Sequence, residues 1–175
     1  FAVSKSSDPV AGGWWFYAVQ TDTGAAGQPP ASTLNDYPKF GVWTDCLYMA
    51  ANEFSEPSGS YAGILFASFS RTAMESGAAL TSSNSALGFL SAASDPFTMI
   101  PASLAGTTTG AGTPMFFVSQ RNGFTQMAVR AFTPGAGCGS GGTLGSATNI
   151  NESSFSFVSG TNVPQSGTAT LLDNL

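Results

Sequence analysis

The chain of 175 residues contains no histidine. That absence removes the usual general base, the usual zinc-binding imidazole and every Ser-His-Asp or Cys-His nucleophile arrangement. Charge is nearly as scarce, at 9% of residues against about 25% in an ordinary soluble domain. The five cations, Lys5, Lys39, Arg71, Arg121 and Arg130, are scattered through a chain of net charge −5. No basic stripe exists to neutralise phosphates, so nucleic acid is a poor partner. No apolar run approaches the ~18 residues that a membrane-spanning helix needs. A basic and hydrophobic leader is also missing: Phe1-Ala2-Val3 begins like the interior of a strand, and the natural polypeptide is expected to extend further upstream.

Cysteine is limited to Cys46 and Cys138, too few for a disulfide framework and too far apart for a local metal knuckle. They form either one long-range disulfide or, alternatively, a buried strand thiol at Cys46 and an ordinary loop thiol at Cys138.

What the chain does have is Gly, Ser, Thr and Ala, with aromatics at 12%, a mixture that favours strands and turns. Phe1 to Lys5 and Trp14 to Val19 flank a turn carrying Asp8-Pro9 and Gly12-Gly13, which supply turn geometry. A polar connection from Thr21 to Asn35 leads to a hairpin, Phe40 to Ala51, whose turn centres on Thr44-Asp45. Tyr61 to Ser70 is a further strand, and Arg71 to Leu80 has the makings of one or two helical turns. Short β candidates follow at Phe89–Ser91, Phe97–Ile100, Met115–Ser119, Met127–Phe132 and Phe155–Val158. Gly135 to Gly145 holds six glycines but no following Lys-Ser/Thr, so it is a flexible loop and not a phosphate cradle. The fold class expected is all-β, and on pattern alone four-stranded propeller blades and a β-sandwich fit equally well.

Taken in order, the segments starting at Phe1 and Trp14, Asp36 to Asp45, and Tyr48 to Phe54 resemble a group of large secreted bacterial β-propeller proteins of mostly unknown function. The likeness continues through Phe69–Gly77, Ile100–Gly106, Gly112–Ser119, Val163–Thr168 and Leu172–Leu175. It implies two to three four-stranded antiparallel blades: residues 1–80 a first blade, 81–175 a second and the start of a third, in a fragment of a longer propeller. It also implies a secreted or cell-surface location. Ser70 before Arg71 and Ala105 before Gly106 depart from the charged blade motifs of that group, which weakens the transfer of any ion site. Ser6 to Trp14 resembles the Asp-box turn of sialidase-like propellers, where the Asp role is structural, and Asp8, Gly12 and Gly13 are assigned to it.

Three functional readings stand on these residues. The first is a non-catalytic extracellular binding or structural module whose partners are further blades, another protein chain or a glycan. The second is a carbohydrate-binding or sialidase-like module, with Trp14, Tyr37 and Trp43 stacking on sugars and Asn52 and Glu53 bonding hydroxyls. Against it, such aromatic strands also supply core, and three scattered arginines make no cluster for a sialic acid carboxylate. The third is self-association through open strand edges, with Met115–Val118 as a pairing segment. No cofactor is implied, although calcium suits Asp36 and Asp45, with Glu53 near by.

Overall fold

The computed structural model describes residues 1–94, 97–106, 110, 113–121 and 125–153. Its sheets are antiparallel, one curling into a half-barrel; among the described residues strands account for 49% and there is one short α-helix. At the N-terminus β1 (Ala2–Ser4) pairs with β2 (Trp14–Phe16). Asp8 builds the turn: its Oδ1 accepts the N–H of Val10 (2.9 Å) and of Ala11 (3.0 Å). Gly13 then takes a φ of +73°, which a side chain disfavours.

The next four strands form a meander in the order β3 (Thr33–Val42), β4 (Cys46–Ser55), β5 (Ser60–Ser70) and β6 (Ser85–Ser91). The β3–β4 turn falls at Thr44-Asp45, closed by Trp43 N–H to the Cys46 carbonyl at 3.0 Å. A bulge between the pairs Asp36↔Asn52 and Lys39↔Ala50 absorbs Tyr37 and Pro38. Proline is tolerated there because β3 is an edge strand whose N–H groups need no ladder partner. Helix α1 (Arg71–Ser76) follows, with the Ser70 hydroxyl accepting Ala73 N–H and Gly77 ending it at a φ of +76°.

A second meander runs β7 (Phe97–Pro101), β8 (Met115–Arg121), β9 (Gln126–Thr133) and β10 (Thr143–Leu144), and β11 (Thr148–Asn151) also pairs with β9. Phe155–Val158 and the segments from Val163 onward lie outside the described residues.

Alternation along β4 and β5 divides the core in two. Cys46, Tyr48, Ala50 and Ile64 face the second meander and meet Met99, Met115, Phe117 and Phe132. Phe66 seats its ring edge-on 5.5 Å from Phe132 and 6.2 Å from Phe117. Burying rings of this size is worth roughly 1.5–3 kcal/mol each. The opposite face, Met49, Leu65, Ala67 and Phe69, is covered by α1 through Met74 and by Phe1, Val3 and Tyr17 of the N-terminal segment.

The strand membership of the first sheet differs from the sequence expectation in one respect. Phe1–Lys5 and Trp14–Val19 do not join it, because β1 and β2 pair only with each other. Its fourth strand is β6, which comes from beyond residue 80 and pairs with β5 from Phe69↔Ser85 to Gly63↔Ser91.

Candidate functional site

The residues nominated from sequence scatter rather than converge. Trp14 is exposed at the start of β2, while Tyr37 sits at the β3 bulge with a φ of +53° and the Lys39 ammonium over its ring. Trp43 is buried, a correction to its reading as a sugar platform: its ring belongs to the inter-sheet core and its Nε1 donates to the Thr113 carbonyl at 3.1 Å. Asn52 is buried too, and its amide is spent on Thr98 of β7. These placements leave no shared face on which the aromatic and amide groups could hold one sugar.

The carboxylates nominated for calcium also separate. Asp36 lies opposite Asn52 in the β3–β4 ladder while Glu53 lies opposite Asn35, so Asp36 and Glu53 point to different faces. Asp45 is at the hairpin tip, roughly 15–20 Å along the strand from Asp36 at ~3.3 Å per residue. Among the described residues, one grouping of three ligand types forms, Asp45, Cys46 and Cys138. It is no metal centre, since Cys46 and Cys138 are joined as a disulfide with Cα atoms 5.9 Å apart and no thiolate remains. That bond ties β4 to the loop after β9, and the Ser68 hydroxyl holds the Cys138 carbonyl at 2.8 Å.

Two open clefts flank the edge strand β6. One, of about 470 Å³, runs past Val19, Gln28, Phe66, Ser85 and Ser140. The other, of about 480 Å³, lies beside Phe89, Leu144 and Arg130. Neither is lined by a carboxylate, so neither holds the acid pair that glycoside hydrolysis requires.

One polar cluster stands out by its surroundings. Glu53 is fully buried, and neither carboxylate oxygen has a hydrogen-bond partner. It lies on the face of β4 opposite Asn52, beneath the segment that runs from Thr21 to Thr33. Burial pushes its carboxyl pKa up, the Thr33 hydroxyl beside it draws it partly back, and the Asp22 charge adds a smaller upward push. That hydroxyl is also within 3.1 Å of the Pro30 carbonyl. Asn35, its ladder neighbour, donates to the Thr21 hydroxyl at 2.6 Å. Sequence reasoning finds Glu53 but not Thr21, Asp22 or Thr33, which sit in a polar connection without a motif.

No protein-family model, curated protein or solved structure matches this chain.

Proposed function

We propose that the chain is a non-catalytic, extracytoplasmic binding or structural module, built from two adjoining blades of a β-propeller, whose faces and edges are made to hold further sheets. The observation that carries this reading is the way the two meanders stack. Their first strands meet: the Leu104 N–H that follows β7 donates to the Val42 carbonyl of β3 at 2.8 Å, and the Ala102 carbonyl lies where a side chain on Gly41 would go. Their third strands meet as well, through Phe66 of β5 with Phe132 of β9, and the loops that follow those strands are joined by Ser140 N–H on the Ser82 carbonyl at 2.8 Å. First strand beside first and third beside third is what neighbouring blades around a propeller axis would give.

Two further features support it. β1 and β2 pack on the free face of the first meander, where a preceding blade would lie. The outer face of the second meander displays Ile100, Phe116, Met127 and Ile150, each 40–52% exposed, an apolar surface of the kind that marks an interaction site. The Cys46–Cys138 disulfide favours an oxidising compartment.

Light scattering across concentration tests the reading, with the oxidised full chain beside a Phe116→Ser/Ile150→Ser variant and a parallel assay on chromogenic glycosides and sialosides. The expected result is association that the double variant loses, and no turnover. A wild type that stays monomeric throughout, or measurable turnover, overturns it.

A further inference from the structure

Glu53 presents a problem in elementary electrostatics. An ionised carboxylate removed from water needs a compensating positive charge or several hydrogen-bond donors, and among the described residues this one has no cation beside it and at most the Thr33 hydroxyl for a donor. The cations whose side chains are described lie elsewhere. Lys5 sits over Trp15, Lys39 over Tyr37, and Arg71 bonds the Trp43 carbonyl and Glu75. Arg130 belongs to β9 in the second meander, whereas Glu53 faces away from that sheet.

The groups that do surround Glu53 are oxygen donors. Asp22 follows Thr21, whose hydroxyl accepts from Asn35, the ladder partner of Glu53, and so brings a second acidic side chain from the covering segment. Thr33 is buried, with its hydroxyl beside the Glu53 carboxyl and within 3.1 Å of the Pro30 carbonyl, so its oxygen is placed to coordinate. Thr21 is buried and held in place by Asn35. Two carboxylates and hydroxyl oxygens, without nitrogen or sulfur, match the preference of a hard cation that accepts irregular loop geometry.

We propose that Glu53, with Asp22 and the Thr33 hydroxyl, forms a binding site for a divalent cation of the calcium class between β4 and the Thr21–Thr33 segment. The ion supplies the missing charge, and it pins the covering segment to the first meander. This site is independent of the propeller reading, because it uses one sheet and its own upstream segment.

The test is scanning calorimetry on the full oxidised chain, stripped with chelator and then given calcium chloride at about 10 mM, above the millimolar Kd typical of extracellular calcium modules. Magnesium chloride serves as the control. The unfolding midpoint of the wild type is expected to rise saturably with calcium by about 4 °C or more, following the binding linkage for a chain of this size. Asp22→Asn, at the half-buried side of the site, is expected to need about tenfold more calcium for half of the effect. Glu53→Gln is expected to lose the response while keeping its midpoint without calcium. A wild-type midpoint that calcium leaves in place, or an equal calcium shift in the wild type and Asp22→Asn, overturns the site. In the first case the carboxyl is simply held neutral by burial. Should Glu53→Gln fail to fold, the Asp22→Asn titration decides alone.

Discussion

Asn52 and Thr98 clasp each other across the two sheets. The Asn52 Oδ1 accepts the Thr98 N–H at 2.9 Å, and its Nδ2 donates to the Thr98 hydroxyl at 3.0 Å. Thr98 adopts a φ of +52° to present both groups, a conformation uncommon for a β-branched residue and sustained here by the pairing. An amide that looks like a ligand contact in the sequence is a joint between β4 and β7. Replacing it leaves the Thr98 N–H buried without a partner, so Asn52→Ala should lower stability by about 1–3 kcal/mol. Urea denaturation checks this, and an unchanged midpoint would show that the joint contributes nothing.

Tyr48 makes the opposite case. Its ring is fully buried against Phe132, yet its hydroxyl has no hydrogen-bond partner. Burial, and secondarily the charge of Asp45, drives its pKa upward, so the phenol stays protonated. Tyr48→Phe removes an unsatisfied polar atom and keeps the packing. Stability should be equal or higher, by up to about 1–2 kcal/mol. A loss in the same denaturation experiment would mean that the hydroxyl is paired after all.

Reduction should weaken the whole assembly rather than one loop, because Cys46 and Cys138 are 92 residues apart in sequence. Closing a loop of that length restricts the unfolded chain, and removing such a bond costs about 2–4 kcal/mol. The unfolding midpoint in reducing buffer, or in the Cys46→Ala/Cys138→Ala variant, should fall by roughly 5–15 °C. Equal midpoints in oxidising and reducing buffer would count against the clamp.

Asp8 ties a pH dependence to the N-terminal hairpin. Its pKa lies below the usual 3.8 because the Ala11 and Val10 N–H groups bond the charged form. A depressed folded-state pKa means that the support is present above about 3.8 and is lost as pH falls through the lower folded value. The Val10 and Ala11 amide resonances should therefore titrate together, with a midpoint below 3.8. In Asp8→Ala both titrations should vanish. A midpoint at or above the ordinary carboxylate value would show that the turn does not hold the charge.

Much of the strand pattern is legible in the residues, and the exceptions have physical causes. The turn at Thr44-Asp45 and the strand Tyr61–Ser70 are marked by polar breaks between apolar runs, and the structure places both there. The start of β3 is hidden, because Tyr37-Pro38 looks like a strand break while an edge bulge lets the strand run from Thr33. The first half of β6 is hidden as well. Ser85 to Gly88 has little intrinsic β preference, and Gly88 serves instead to admit the Phe66 ring from the neighbouring strand. Trp43 and Asn52 look like ligand contacts in the sequence because residue type alone cannot distinguish an aromatic or amide that faces solvent from one that faces a second sheet. The companions of Glu53 lie 20 to 32 residues upstream, and only folding brings that connection over β4.

The stacking of the two meanders is the claim on which the rest depends, and nuclear Overhauser contacts from the Phe66 ring test it most directly. The structure places that ring 5.5 Å from Phe132 and 6.2 Å from Phe117, both in the second meander. Cross-peaks from Phe66 to the ring or β-protons of both residues, with the Asn52 side-chain amide showing contacts to Thr98, are the predicted result. A spectrum in which Phe66 and Asn52 contact only residues of their own sheet would contradict it.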